Sequence, residues 1–423
     1  MLRTLLPIRR PLRRGASPLA VAFALAGAAV LGAAAPAHAQ EQEAPKPTYS
    51  DAFIAAYQPV ADIVGAEGGD LAAARAQLDA VHAAVSTQDD RHTAGNLTLV
   101  LGNKLQDPTL LRRGLEMMLE SGKVAPERVA EFQYNLGSLA YDAKDWPAAR
   151  QAIQAALAAG YPQGDLDGLV AETYFSEGQD AQGLQHLQGA IERRQAAGQP
   201  VPQNWMRRGL AVAYNANLPQ QATEWSALMV ANEPTQENWK QALQVVAAMN
   251  QLDPQAELDL LRLMMTTNAM TERNLFEAYV EAADPRINSN EVGRVLDAGV
   301  QQGVFTTSDP FYTEVKTVVD QRAATDRRDA PQLAAEARSS AEGRDAMNAG
   351  DVFLSIEDYA QAEAMYQLAL EKGAADRDRV LTRLGIAQAH QGKNEDAKAT
   401  FGQVSGARAP VARMWTAYVE SRA

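Results

Sequence analysis

Side chains that could support catalysis or bind a metal are few and widely spaced in this chain. The sequence has no cysteine, and four of its five histidines follow residue 39. These are His82, His92, His186 and His390. No pair of them has the spacing of an HExxH metal motif, and the lack of cysteine excludes thiolate ligands and cysteine nucleophiles. We therefore expect no metal site and no cofactor, and surface or interface positions for the histidines.

Two segments superficially resemble ligand-binding loops. Gly385 and Gly392 lie too far apart for a phosphate-binding loop, and Asn394 stands where that loop needs Ser or Thr. Residues 284–291 have the polar character of a calcium loop, but Arg286 occupies the place of an acidic ligand and the central glycine is missing. Neither segment predicts a site.

A Glu-Ser pair occurs at Glu120-Ser121 and again at Glu420-Ser421. The pair matters because an exported helical superhelix can precede a peptidoglycan-cleaving domain. The first pair ends a predicted helix and the second lies at the C-terminus, so neither has room for a surrounding cleft. No GxSxG motif occurs either. The sequence predicts a protein that is not an enzyme.

Small residues at regular spacing indicate the elements that organise the chain. Three glycines are each followed by an alanine twelve positions later. The pairs are Gly137 and Ala149, Gly350 and Ala362, and Gly385 and Ala397. Small side chains let two crossing helices approach closely, and larger residues such as Tyr366 or Phe401 would fill the space toward the neighbouring hairpin. A period near 34 residues predicts stacked hairpins of two antiparallel helices.

Two segments carry a family resemblance. Residues 134–149 (YNLGSLAYDAKDWPAA) and 358–370 (DYAQAEAMYQLAL) resemble the tetratricopeptide repeat (TPR). The resemblance implies an all-α fold, a right-handed superhelical α-solenoid of TPR-like hairpins with a C-terminal capping helix. Ten predicted crossing positions follow at intervals of 32 to 40 residues: Asp62, Gly102, Gly137, Ala171, Ala211, Leu243, Tyr279, Val315, Gly350 and Gly385. The residues assigned to repeat packing are Gly102, Gly137, Ala149, Ala171, Gly350, Ala362, Ala369, Gly385 and Ala397.

The N-terminus has the pattern of an export signal. A basic start is followed by the apolar stretch 19–35 and by Ala37-His38-Ala39, which resembles a cleavage site. We expect residues 1–39 to be a cleaved signal peptide, residues 40–49 to be a flexible leader, and the protein to be periplasmic in a Gram-negative bacterium. A retained anchor is the alternative, and the Sec and Tat routes of export both stay open.

Charge limits the kinds of partner. Five of the 39 basic residues and none of the 52 acidic residues precede residue 40, so the rest of the chain has 34 basic and 52 acidic residues, a formal net charge of −18. This balance argues against nucleic acid and against anionic lipid as partners. It is compatible with a basic partner, or with acidity that serves only solubility.

The chain after the leader divides into three predicted parts. Residues 50–319 form the N-terminal part of the solenoid, residues 320–345 form an irregular connection or long loop, and residues 346–423 form a C-terminal TPR pair and capping helix. The long loop is assigned because charged and serine-rich segments interrupt the apolar pattern there.

The resemblance also implies a partner-binding groove lined by the first helix of each hairpin. Matched positions place these residues in it: Tyr134, Ser138, Tyr141, Glu172, Phe175, Arg208, Asn215, Met347, Asp351 and Leu354. Aromatic residues and arginine dominate binding at such surfaces. The alternative is that these tyrosines pack between repeats. The chain lacks the Lys and Asn positions with which chaperone-binding TPRs clamp a terminal carboxylate.

The expected function is a non-enzymatic periplasmic scaffold that binds protein or peptide partners in cell-envelope assembly, with self-association possible. One alternative is an accessory or catalytic-domain-less relative of an envelope enzyme, similar to the superhelix of a lytic transglycosylase. A structural spacer is the other.

Overall fold

The computed structural model describes residues 47–422, and this range is helical. It contains twenty α-helices and one short 3-10 helix, with no β-strand among the described residues. The prediction of an all-α fold is confirmed. Residues 1–46, which include the predicted signal peptide and most of the leader, lie outside the described range. Within residues 47–422, no helix combines the length and apolar character that a bilayer span requires.

Eighteen of the described helices form nine hairpins, each built from two helices that are consecutive in the chain. The hairpins are α1 (Asp51–Gly65) with α2 (Leu71–Ala83), α3 (Gln88–Leu105) with α4 (Pro108–Glu120), α5 (Pro126–Asp142) with α6 (Trp146–Ala158), α7 (Leu166–Ser176) with α8 (Asp180–Ala196), α9 (Gln203–Asn215) with α10 (Pro219–Asn232), α11 (Gln236–Met249) with α12 (Pro254–Thr266), α13 (Arg273–Ala283) with α14 (Ser289–Gln301), α16 (Gly343–Ser355) with α17 (Tyr359–Glu371), and α18 (Arg377–His390) with α19 (Asn394–Phe401). Helices α15 (Pro310–Ser339) and α20 (Ala409–Glu420) have no hairpin partner.

The turn inside a hairpin has a recurring backbone conformation. In six hairpins the residue two positions before the second helix has a positive φ between 53° and 75°. These residues are Gln106, Lys144, Gly178, Asn217, Glu357 and Gly392. Only two of the six are glycine, although the left-handed conformation costs other residues energy. An aspartate is the N-cap of several second helices. In α6, for example, the N-cap Asp145 accepts a hydrogen bond from the Ala148 amide.

Close approach of the two helices occurs where a large side chain lies over a glycine. A Cβ atom built on Gly137 would lie 2.7 Å from Ile153 Cγ1, and one built on Gly350 would lie 2.6 Å from the Tyr366 ring. Gly385 meets Phe401 in the same way. Each of these large side chains therefore covers the glycine of its own hairpin that lies sixteen positions earlier. The sequence analysis had predicted instead that Tyr366 and Phe401 fill space toward the neighbouring hairpin.

The same packing occurs in the α9–α10 hairpin, for which the predicted crossing position was wrong by two residues. Gly209, not Ala211, lies under the ring of Trp225, again sixteen positions later. In the α3–α4 hairpin the helices cross at Gly95 and Gly114, whereas Gly102 packs on the backbone of Leu111 near the end of α3. All nine residues assigned to repeat packing are buried.

The irregular connection predicted at 320–345 is mostly helix. Helix α15 has 30 residues and continues to Ser339, so only residues 340–342 are non-helical before α16. Its charged segment is fastened to α14, because Arg327 Nε donates to Asn290 Oδ1 at 2.6 Å and Asn290 donates to the Ala323 carbonyl oxygen. The hairpin expected around Val315 is therefore replaced by one long helix.

The C-terminal helices fold back onto the middle of the chain. Helix α20 packs against α10 as well as α19, and α18 contacts α12. The Trp415 indole nitrogen donates to the Asp259 carbonyl oxygen at 2.9 Å, and Arg413 pairs with Glu224 at 2.8 Å. The capping helix thus covers second helices of the middle hairpins in addition to the last hairpin, which a stack of nearest neighbours does not provide.

The described end of the leader is fastened to the first hairpins. The Thr48 amide donates to Asp89 Oδ2 at 2.8 Å, and the Ser50 hydroxyl donates to Asp90 Oδ2 at 2.9 Å. Residues 48–50 therefore adopt a defined, non-helical path against α3.

We expect Gly137→Leu to destabilise the protein by about 1–3 kcal/mol or more, because the new side chain overpacks the contact with Ile153. Chemical denaturation measures the effect. The control is Gly189→Leu in α8, where a Cβ meets only the Arg193 side chain at 3.5 Å. Equal unfolding midpoints for the Gly137 variant and the wild type would contradict the assigned crossing.

We expect Lys144→Gly to raise the free energy of unfolding by up to about 1 kcal/mol, since glycine adopts the observed φ of 59° without the cost borne by lysine. Lys144→Ala is the matched control, because alanine keeps the Cβ and hence the cost. Thermal and urea unfolding of both variants compare them, and a gain for alanine equal to that for glycine would refute the explanation.

Candidate functional site

Four of the predicted groove residues lie together on the first helices α5, α7 and α9. Arg208 makes a two-pronged ion pair with Glu172, with Nε–Oε1 at 2.6 Å and Nη2–Oε2 at 2.8 Å. Its guanidinium carbon lies 5.1 Å from the centre of the Phe175 ring. Tyr141 completes the group, which we call the α5–α9 surface: Tyr141, Glu172, Phe175 and Arg208.

The pKa values of Arg208 and Tyr141 both depend on the Glu172 carboxylate. The hydrogen bonds that Arg208 donates to Glu172 are the main cause that raises the pKa of Arg208, so the guanidinium stays charged. Burial is the main cause that raises the pKa of Tyr141, with Glu172 raising it further and Arg208 opposing. The arginine side chain is 45% exposed and its glutamate 28%, so the pair can meet a partner from solvent.

Neighbouring packing holds the α5–α9 surface in place. The Tyr141 ring meets Trp146 edge to face, with centroids 5.1 Å apart. Trp146 begins α6 directly after Asp145, and Asp145 accepts a hydrogen bond from Arg112 of the preceding hairpin at 2.8 Å. The aromatic side chains are therefore supported on two sides, which reduces the entropy lost when a partner binds.

The other N-terminal groove residues are arranged differently. The Tyr134 ring stacks on Tyr161 with centroids 4.4 Å apart, so this tyrosine packs toward the next repeat, as the alternative interpretation held. Ser138 is half-buried in α5, and Asn215 is exposed at the end of α9. Neither residue makes a side-chain hydrogen bond within the described residues.

Three C-terminal groove residues are buried and need correction as surface positions. Met347, Asp351 and Leu354 are each less than 10% exposed. Asp351 accepts hydrogen bonds from Arg383 at 2.6 Å and from Arg379 at 2.8 Å. The Asp351 carboxylate is covered by neighbouring C-terminal helices, because it contacts Tyr366 of α17 and the two arginines of α18. In this fold these side chains do not line an open groove for a protein segment.

A buried ionic cluster joins the C-terminal and middle helices. Asp259, fully buried in α12, accepts hydrogen bonds from Arg262 at 2.6 Å, Arg383 at 3.1 Å and Arg408 at 2.9 Å. We call these four residues the Asp259 cluster. Two of its arginines lie more than 120 residues along the chain from the aspartate.

A second carboxylate extends the network. Glu291 pairs with Arg262 through two contacts of 2.7 Å and accepts a 2.6 Å hydrogen bond from the Tyr279 hydroxyl. Burial alone would raise the pKa of Glu291, but the charge and hydrogen bonds of Arg262 hold it below its usual value. Burial, and then Glu291, raise the pKa of Tyr279 well above its usual value.

Sequence reasoning missed this network, although one local signal was present. Asp259 and Arg262 stand three residues apart inside the otherwise apolar run Leu258–Met265. Charges at that spacing in an apolar helix must be paired when buried. The identity of their distant partners has no comparable signal.

A cavity of about 320 Å³ lies beside the network, between α12–α14 and α16–α18. At its edge Arg294 pairs with Glu357 at 3.1 Å. Tyr359 and His390 form a stacked pair in its wall, with centroids 4.6 Å apart and planes 6° apart. Burial is the main cause that lowers the pKa of His390 to about 4, so its imidazole is neutral at pH 7.

The histidines do not assemble a metal centre in the part of the chain that the structure describes, where no group of three or more His, Cys, Asp or Glu side chains could hold an ion. His82 Nε2 lies 2.8 Å from the Thr98 hydroxyl, and His186 lies 3.1 Å from Asp167. Both contacts join helices that pack against each other.

No protein-family model and no curated protein matches the chain. The TPR2AB domain of yeast Sti1, solved in complex with pHSP90, aligns over 68% of this chain and 98% of its own at 15% identity and a TM-score of 0.22. Naa15/Naa10 bound to HypK-THB aligns over 82% and 63% at 13% identity and a TM-score of 0.25. A circular tandem repeat protein aligns over 88% and 96% at 14% identity and a TM-score of 0.15. These scores support no functional argument.

The class of the protein is instead defined by its own geometry. Nine helical hairpins, six of which share the recurring turn, form a TPR-like α-helical repeat whose C-terminal helices fold back onto its middle.

We expect Asp259→Asn to lower the free energy of unfolding by about 3–5 kcal/mol, because three buried guanidinium groups lose their shared carboxylate. Urea unfolding measures the change. Glu342→Gln is the control, since Glu342 forms only an exposed pair with Arg344 and should change stability by less than about 0.5 kcal/mol. An equally small change for Asp259→Asn and Glu342→Gln would contradict a stabilising role for the Asp259 cluster.

Proposed function

We propose that the protein is a non-enzymatic scaffold that binds a protein segment at the α5–α9 surface. The observation that carries the proposal is the two-pronged Arg208–Glu172 pair lying against Phe175. A guanidinium group, an aromatic ring and a carboxylate thus lie together on a partly exposed surface. Arginine and aromatic residues supply most of the binding energy at protein interfaces.

The fold-back leaves this surface free. The C-terminal helices pack on the second helices α10 and α12 and touch α11, and within the described residues they make no hydrogen bond to α5, α7 or α9. The middle and C-terminal hairpins thus form a closed body, while the first helices of the N-terminal hairpins remain open to a partner.

The proposed place of action is the cell envelope. The support is the export-signal pattern of residues 1–39, together with the absence of cysteine, which suits an exported chain that folds without disulfides. The net charge after residue 39 favours a neutral or basic protein segment over nucleic acid.

In-cell photo-crosslinking followed by mass spectrometry tests the proposal directly. A photoreactive residue is placed at Ser138, beside the α5–α9 surface, and at Gln154, which is exposed on α6, as the control. A specific envelope protein attached at position 138 but not at 154 supports the proposal. Crosslinks only to other copies of the chain, or release of muropeptides by the purified protein, would overturn it in favour of a spacer or an envelope enzyme relative.

We expect Tyr141→Ala combined with Arg208→Ala to weaken binding of the crosslinked partner by at least about tenfold, as loss of two central contacts does at such interfaces. Circular dichroism should show unchanged helicity, because neither side chain is buried. Arg193→Ala is the matched control, since Arg193 lies on the second helix α8 with its side chain 59% exposed and pairs with Asp167 of α7. Unchanged affinity of the double variant would remove the site from this surface.

A further inference from the structure

The cavity between the middle and C-terminal hairpins has no part in the partner-binding proposal. Its walls come from two segments of the chain, residues 262–295 and residues 354–390. Its volume of about 320 Å³ is at the lower end of the range typical of small-molecule sites. A ligand of about ten non-hydrogen atoms would touch both segments at once.

One part of the lining is apolar and flat. Met265, Val295, Leu354 and Ile386 contribute aliphatic surface, and the parallel Tyr359–His390 pair adds aromatic surface. His390 is mostly buried, and its ring nitrogens have no hydrogen-bond partner among the described residues. This lining favours a planar, largely apolar group over a sugar or a flexible polar chain.

The charged side chains that line the cavity differ in how many of their hydrogen-bonding atoms are already paired within the protein. Glu291 is occupied by Arg262 and by the Tyr279 hydroxyl. Arg294 is about one third exposed and pairs with Glu357 at 3.1 Å, and its Nη1 donates to the Asn290 carbonyl oxygen at 3.2 Å. Arg294 Nη2 donates no hydrogen bond to any of the described residues.

Charged groups of both signs surround the aromatic wall. After burial, Glu357 has the largest effect on the pKa of His390 and raises it, whereas the guanidinium groups of Arg422, Arg262 and Arg294 lower it. The two carboxylates of the lining already face arginines, Glu291 facing Arg262 and Glu357 facing Arg294, whereas Arg294 Nη2 can still donate to an anion.

We propose that this cavity binds a small organic anion, with a carboxylate paired to Arg294 and a planar apolar group beside Tyr359 and His390. The site is separate from the α5–α9 surface, so the failure of one proposal leaves the other standing.

Three probes of similar shape and different charge test the inference: benzoate, benzyl alcohol and benzylammonium. Ligand-observed NMR titrations with the full-length processed protein give their affinities. For benzoate we expect a dissociation constant on the order of millimolar, as is usual for ligands of this size. Benzoate should bind about tenfold more tightly than benzyl alcohol, because one charge-assisted contact separates the two.

Variants locate the site. Arg294→Gln should weaken benzoate by about tenfold and leave benzyl alcohol unchanged, since it removes the charge from a part-exposed position. Arg344→Gln is the matched control, because Arg344 forms an exposed ion pair with Glu342 and does not line the cavity. Ile386→Trp should abolish binding of both probes by filling the space.

The outcomes decide the proposal. Saturable binding of benzoate that is weakened by Arg294→Gln but not by Arg344→Gln supports it. Absence of saturable binding, equal affinity for benzyl alcohol, preference for benzylammonium, or an unaffected Arg294→Gln variant overturns it. Because Arg294 is part-exposed, that comparison stands even where the Ile386 variant fails to fold.

Discussion

Asp259 and the three arginines around it fasten the two parts of the fold that are most distant in sequence. Its carboxylate is fully buried in α12 and receives guanidinium groups from α12 itself, from α18 and from the turn before α20. Glu291 and Asp351 bring the buried carboxylates of the network to three, facing Arg262, Arg383 and Arg408. The equal numbers matter because an unpaired buried charge would cost several kcal/mol.

Local repeat packing and this long-range docking use different physics. Inside a hairpin, Gly137 or Gly350 lets one large side chain lie against the facing helix, and the contact needs only sixteen residues of chain. The docking of α16–α20 joins residues more than 120 positions apart, so it bears a larger loop-closure entropy. Its consequence for function is a division of the molecule: the first-helix surface of α5–α9 stays open, while α18 and α20 are joined to the middle hairpins.

What could be predicted from the sequence follows the same division. The all-α fold and the crossings at Gly137, Gly350 and Gly385 are periodic and local, so one sequence suffices to find them. Gly209 was missed because Ala211, two residues later, is also small, and the large partner that decides the register, Trp225, was not used. The part of α15 from residue 320 onward was assigned to an irregular connection or long loop because its charges break the apolar pattern, although arginine and alanine favour helix. At the candidate site, the group around Arg208 came from matched first-helix positions, whereas the burial of Asp351 follows from its contacts with Arg379 and Arg383 of the next hairpin, which the matched positions do not indicate.

The polar character of the docking interface has a physical consequence of its own. Repeat hairpins present similar apolar faces, so apolar packing alone would let α16–α20 dock at several registers along the second helices. Replacing a buried ionic cluster by apolar residues is often neutral or stabilising, and its presence here is therefore poorly explained by stability. We infer that it selects one register, because Arg383 reaches Asp259 and Gln255 of α12 only in this position, and a shift by one hairpin would break both contacts. That single register also fixes the cavity, since its walls meet only where Tyr359 and His390 lie opposite Arg294 and Met265.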